Sequence, residues 1–320
     1  MSNASGEPPL RQLTRLRSEL QIATAQLTAR LFPEDPFLAM EFGIAARICL
    51  PDWTCGAGVA RPERAARAIS VRKMALSLGN SFETTRRHCL ELIERGAFAE
   101  SPQGVALAAT EANEALVLSY YLGVHDRFVR LIEDVSTTCD LDFPVARGRD
   151  FEIADVIERG LDVLLQPVDT FRLSGMSRSA HLLWAALTAV AVRGVTYDPL
   201  LCRRFARSIP PDEVRAAISL RRLAAALAIP YATAWRHAQR LEARGLVTRV
   251  GSDRWTVLQG NLIARHVQEI AISPTLLLLP RLRELALLGL DPARAAEYYR
   301  QGRPALADFG TSAEQRSHPI

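Results

Sequence analysis

Apolar residues recur along this chain with a helical period. Leu13, Leu20 and Leu27 stand seven apart, and Leu10, Leu16, Ala23 and Leu31 widen their stripe, which predicts a helix over Leu10–Leu31. Pro33 and Pro36 then break the chain. Residues 37–50 (FLAMEFGIAARICL) and 181–192 (HLLWAALTAVAV) are strongly apolar and predict buried helices. Residues 111–135, 151–165, 261–270 and 275–288 read as further helices, with Arg147-Gly148-Arg149 as a break between the first two. Strand-type runs are few. Residues 97–100 and 105–107 flank Ser101-Pro102-Gln103-Gly104, and residues 246–250 and 255–258 flank Gly251-Ser252-Asp253. Each pair reads as a β-hairpin, and the rest as a mainly α chain.

The hairpins follow two copies of one motif. Residues 69–98 read ISVRKMALSLGNSFETTRRHCLELIERGAF, and residues 218–247 read ISLRRLAAALAIPYATAWRHAQRLEARGLV. They align without a gap at an offset of 149, with eleven of thirty positions identical, which marks an internal repeat. The larger unit has the same plan in both halves: an apolar helix, a Pro-bearing loop, the motif, then a hairpin. The second loop carries Gly194, Pro199, Pro210 and Pro211.

The motif has the pattern of two helices and a turn. In the second copy Ser219 is a cap, and Leu220, Leu223, Ala224 and Leu227 form the inward face of the first helix. Ala228-Ile229 makes the turn, and Pro230 suits the first position of the next helix. Ala234, Ala238 and Leu241 then point inward, whereas Tyr231, Ala232, Trp235, Arg236 and Gln239 point out, with Thr233 placed to bond a phosphate. Gly245 stops the helix. In the first copy Ser70 is the cap and Asn80-Ser81 the turn. Thr85, Cys89 and Leu92 point inward, and Phe82, Glu83, Thr84, Arg86 and Arg87 are presented. Such a face suits the major groove of DNA, where Arg pairs with guanine or phosphate. Arg249 and Arg254 on the second hairpin are candidates for the minor groove or backbone. Glu83 opposes phosphate, or else accepts from cytosine N4. His88 and His237 match in the repeat and read as packing residues.

Charge distribution supports a polyanionic partner. Residues 61–100 hold eight basic and five acidic side chains, and residues 201–258 hold eleven and four. Residues 110–170 hold five and thirteen, so an acidic connector separates two basic regions. Five cysteines without a CxxC pair, and no signal peptide, indicate reduced thiols in the cytoplasm. No apolar run reaches the roughly 18 residues of a membrane span. No nucleophile–base constellation, metal spacing or cofactor motif stands out. Asp140 and Asp142 beside Cys139 read as a solvated loop. Gly56-Ala57-Gly58 lacks the flanking strand and helix of a nucleotide loop, and Asp308-Phe309-Gly310 stands without other kinase features. The chain therefore reads as neither an enzyme nor a cofactor carrier.

The segment LRRLAAALAIPYATAWRHAQRLEARGLVTR resembles the winged helix-turn-helix of bacterial transcriptional regulators of the IclR and MarR types. The resemblance rests on Leu223-Ala224, Pro230, Thr233 and the run Leu241-Glu242-Ala243-Arg244-Gly245-Leu246-Val247. In the first copy it rests on Met74-Ala75, Ser81, Thr84-Thr85 and Leu92-Ile93-Glu94-Arg95-Gly96. It covers about forty-five residues in each half and implies two tandem winged helices that bind double-stranded DNA. No separate ligand-sensing domain is recognisable, so the chain resembles a winged-helix dimer in one polypeptide.

The expected division is an amphipathic N-terminal helix with a disordered start (1–32) and a first winged helix (33–110). An acidic helical connector (111–170), a second winged helix (171–260), and C-terminal helices with a frayed tail from Gly302 (261–320) follow. The leucine stripe of residues 10–31 serves either its own domain or a homodimer. Transcriptional regulation is the leading expectation. A replication-initiation or segregation protein and a winged-helix protein-interaction scaffold are the alternatives.

Overall fold

A computed structural model describes residues 8–33, 35–55, 58–64, 66–165, 175–307 and 309. The chain is 63% helix with small sheets of two or three strands, so it is mainly α. The expectations for residues 1–7, for Gly56-Ala57, for Asp308 and Gly310, and for the last ten residues lie outside those described.

Helix α1 (Leu10–Leu31) has the bounds its periodicity predicts. It is the spine of the molecule. Leu27 enters a first hydrophobic core, Ile22 a second, and Leu13, Leu16 and Leu20 a third. Its polar residues are enclosed as well: Gln12, Arg15, Arg17 and Glu19 are buried. Gln12 donates its amide to the Cys202 carbonyl at 3.1 Å, and Glu19 accepts from Arg15 and Arg193. Of the two roles expected for the leucine stripe of α1, packing within the chain's own cores is the one seen. Leu13, Leu20 and Leu27 are 0%, 3% and 6% exposed inside the chain's own cores, so the stripe is already covered.

The first repeat unit builds the first core. A 3-10 turn, Pro36–Leu38, is capped by the Asp35 carboxylate and leads into α2 (Ala39–Trp53). The helix continues past Pro51, where the apolar run suggested an end, and buries Trp53. A small hairpin, β1 (Thr54–Cys55) with β2 (Gly58–Val59), occupies part of the expected loop. Helix α3 (Val71–Leu78) starts at Ser70, whose hydroxyl accepts from the Lys73 amide, and α4 (Phe82–Glu94) starts at Ser81, which accepts from Thr84. Met74 and Leu78 from α3 meet Cys89 and Leu92 from α4 in this core. Gly96, at φ 71°, ends α4, with Gly96 and Ala97 donating to the Ile93 and Leu92 carbonyls. The hairpin β3 (Phe98–Ser101) with β4 (Gly104–Leu107) follows. Gly104 has φ 133°, and a Cβ there would lie 2.2 Å from the Ile69 carbonyl oxygen, so a side chain is excluded.

Helices α5 (Glu111–Thr138) and α6 (Ile153–Leu165) cross the middle of the chain. The second unit begins with α7 (Arg178–Ala191). The expected loop before the second motif instead holds α8 (Arg193–Tyr197), α9 (Pro199–Arg204) and a 3-10 turn at Asp212–Val214. Strand β5 (Ile218–Ser219) then precedes α10 (Leu220–Ala226) and α11 (Tyr231–Ala243). Pro230 is the cap residue of α11 and not its first residue. Strands β6 (Thr248–Arg249) and β7 (Arg254–Thr256) make the hairpin, and β7 also pairs with β5.

The two units match at the turn between the motif helices. Gly79 and Ala228 share one repeat position and both adopt the left-handed region, at φ 63° and 52°. Ala228 is the only non-glycine with positive φ among the described residues, a conformation that costs about 1–2 kcal/mol. Ile69 pairs with Val105, whereas Ile218 pairs with Trp255, so the second hairpin is one residue longer than the repeat offset predicts.

Helices α12 (Gln259–Ile263), α13 (Arg265–Leu276) and α14 (Leu278–Leu287) follow. The break falls at Leu277, and Pro274 lies inside α13. The third core joins α1, α5, α6, α14 and the 3-10 turn Pro292–Glu297. The tail expected to fray from Gly302 is instead held at Ala307 and Phe309. Ala307 and Phe309 are 3% and 1% exposed, and Arg193 lies 4.8 Å over the Phe309 ring. Among the described residues no helix is long and apolar enough to cross a membrane.

Candidate nucleic-acid interface

The outward face of α11 carries the residues the repeat predicts. Ala234, Ala238 and Leu241 are buried, which turns Ala232, Arg236 and Gln239 outward, all exposed. Arg236 lies along its own helix. Its Nε donates to the Ala232 carbonyl at 3.3 Å and its Nη2 to Thr233 Oγ1 at 3.2 Å. These are contacts of an exposed side chain, and a stronger acceptor such as a phosphate competes with them.

Trp235 and Tyr231 do a different job. Trp235 is half-buried, with its ring edge-on to the buried Trp255 of β7 at 5.8 Å, and Arg249 stacks 5.0 Å above it. Arg249 also donates to the Gly251 and Ser252 carbonyls at the hairpin tip. Tyr231 bonds Asp253 at 3.3 Å and carries Arg221 over its ring at 4.6 Å. Asp253 also accepts from the capping hydroxyl of Ser219. Arg254 is exposed and donates to the Ala217 carbonyl. Aromatic and cationic contacts thus fix the hairpin to the helix. Arg221 and Asp253 are not legible as contacts from local pattern, because Arg221 meets Tyr231 10 residues away and Asp253 meets Tyr231 and Ser219, 22 and 34 residues away.

The first copy presents a weaker charge. Glu83 and Arg86 form a two-point ion pair at 2.7 and 3.0 Å on the exposed face of α4. The Arg86 hydrogen bond holds the Glu83 carboxyl below its ordinary range, and the pair is neutral as a unit. Ser81 and Thr84 share a hydrogen bond at 2.8 Å, so the cap uses both hydroxyls. Arg87 is exposed and, among the described residues, has no ion-pair partner. Phe82 is 52% exposed and Leu76 on α3 is 69% exposed.

Beneath α4, His88 and Glu41 form a buried pair. His88 Nδ1 lies 2.9 Å from Glu41 Oε1, which also accepts from the Asn80 amide at 3.3 Å. Arg178 of α7 stands 4.0 Å from Glu41 Oε2, so this carboxylate joins α4, the turn before it and the second unit. The hydrogen bond that His88 donates to Glu41 raises the His88 pKa, against burial. His237, at the same repeat position, is instead lowered by burial and by Arg240 and Arg236. A raised histidine stabilises the fold below its unfolded pKa of about 6.5 and loses that contribution as pH rises through the folded value. The urea midpoint of Glu41→Gln is therefore expected to fall furthest below wild type near pH 6, with the gap narrowing by pH 9. A gap that widens with pH would contradict the pair. Cys89 packs beside it, and burial pushes its thiol up to about 12.

The acidic connector is less acidic in effect than in sequence. Arg47 bonds Glu158 at 2.5 Å and Asp162 at 2.7 Å, Arg159 bonds Asp155, and Arg303 bonds Glu133. Asp126 accepts from the Arg300 and Gln301 amides. Arg47 and Arg303, from outside the segment, thus offset part of its negative charge. Comparison with known proteins returns no match: no family model, no curated protein and no solved structure is similar to this chain.

Proposed function

We propose that this chain is a sequence-specific transcriptional regulator that docks two winged helix-turn-helix units on double-stranded DNA. One observation carries the reading. Both repeat units contain an apolar helix, then the two motif helices and a hairpin in the same order, and the second motif helix of each turns an uncovered, arginine-bearing face outward. In the second unit Ala232, Arg236 and Gln239 form the reading surface, and the arginines of the hairpin flank it. Thr233 and Tyr231 set the approach of that surface, and Trp235 fastens it to the hairpin. In the first unit Arg87 is the leading contact, and Arg86 joins it when phosphate displaces Glu83.

Replacing Arg236 with Ala is expected to weaken binding to a selected duplex by about 1–3 kcal/mol at fixed salt. The salt slope should fall as well if Arg236 touches phosphate. Affinity and slope unchanged in an anisotropy titration would remove Arg236 from the interface.

A second reading applies to the first unit alone. Exposed Phe82 and Leu76, beside a self-neutralised Glu83–Arg86 pair, suit a protein partner better than a phosphate backbone. In that case the second unit reads DNA and the first recruits protein.

A further inference from the structure

Two hollows meet between the halves of the chain. The first is a cavity of about 160 Å³ with mostly apolar walls, including Phe37, Met40, Leu182, Leu227 and Ile229. The second is an open cleft of about 450 Å³, walled by Thr84, Arg87 and His88 of α4 and by Ser177 at the start of α7. Phe37, Arg178 and Ser179 belong to both walls, so the cleft and the cavity adjoin.

Size and charge restrict what fits. A dry apolar cavity of about 150 Å³ holds one benzene ring. At the junction the Arg178 side chain is 18% exposed, and its Nη2 is buried without a hydrogen-bond partner. Glu41 Oε1 accepts from His88 and Asn80, and Glu41 Oε2, 4.0 Å from the other terminal nitrogen, makes an ion pair with it too long for a hydrogen bond. Asp35 also lines the cleft, but its carboxylate is bound to the Phe37 amide. A buried guanidinium N–H without an acceptor is unfavourable, and a carboxylate is its best-matched partner. Arg87 adds positive charge from the cleft wall.

We propose that cavity and cleft together bind a small monocarboxylate whose apolar body is about one six-membered ring in size. The ring enters the cavity and the carboxylate pairs with Arg178. The cavity wall contains the turn of the second motif, Leu227 to Ile229, and the cleft wall contains the first half of α4. The ligand therefore touches both motif copies. On the DNA reading it is placed to couple them, but the site itself does not depend on that reading.

The test is calorimetric titration of the full chain, without DNA, by cyclohexanecarboxylate and by cyclohexylammonium. The carboxylate is expected to bind one to one, and the ammonium not to bind. Arg178→Gln should weaken the carboxylate by roughly tenfold or more. Leu182→Phe, which fills the cavity, should abolish binding without lowering the melting temperature. No saturable binding of the carboxylate at millimolar concentration, equal binding of the ammonium, or binding unchanged in Arg178→Gln would overturn the proposal. The comparison of the two ligands uses the native chain, so it decides the matter even where a variant fails to fold.

Discussion

Replacing Glu19 with Ala is expected to lower folding stability by about 3–5 kcal/mol, the usual cost of removing one partner from a buried ionic group. Glu19 sits at the centre of α1, 7% exposed in its side chain, between Arg15 (2%) and Arg193 (12%). Its two oxygens accept from Arg15 at 2.5 Å and from Arg193 at 2.8 and 2.9 Å. Without the carboxylate, two enclosed guanidinium groups face each other with no counter-charge. Arg193 also holds the C-terminal segment, through the Ala307 carbonyl and the Phe309 ring, so that segment should loosen with it. Burial alone would raise the Glu19 pKa, but Arg15 and Arg193 overcome it and hold the carboxyl below its ordinary range. A lowered carboxylate stabilises the fold above its unfolded pKa of about 4.3, and that contribution disappears as pH falls through the folded value. Urea unfolding at neutral pH measures the main effect. A loss under about 1 kcal/mol would show that the network is not buried as described.

Trp255→Ala should cost a similar amount, about 3–5 kcal/mol, for a different reason. Trp255 is fully buried on β7 and fills the second core between α11 and the hairpin. Its removal leaves a cavity at the one place where strand, hairpin and outward helix meet. Trp235 loses its edge-on partner, and Arg249 loses the surface on which that ring is held. Trp235→Ala removes a half-buried ring and should cost less. Denaturant unfolding of the two variants gives the order. If Trp235→Ala proved the more damaging, the helix rather than the strand would hold the hairpin in place.

What the sequence made legible was local. The bounds of α1, the caps Ser70 and Ser219, the inward residues Thr85, Cys89, Ala234 and Leu241, and both hairpins follow from period, cap chemistry and turn residues. These signals act over a few positions. What was not legible depends on which element meets which. A leucine stripe looks the same whether it faces a second copy or three internal cores, and α1 faces the cores. Glu41 is an ordinary helix residue until α4 and α7 bring His88 and Arg178 to it. Trp235 looks like a presented residue until Trp255 arrives beneath it. The acidic run of residues 110–170 looks like a repulsive field until Arg47, Arg281 and Arg303 are found paired with it. Charge counted along a chain is not charge presented in space.

The most direct test of the DNA reading is fluorescence anisotropy of the full chain on a pool of random duplexes at two salt concentrations, with bound DNA carried through selection and sequencing. The account predicts affinity that falls steeply with salt and an enriched motif in two parts, one for each unit. A one-part motif would leave the first unit to a protein partner. No binding even at low salt would contradict the reading and return Arg87 and Arg236 to the role of surface charge.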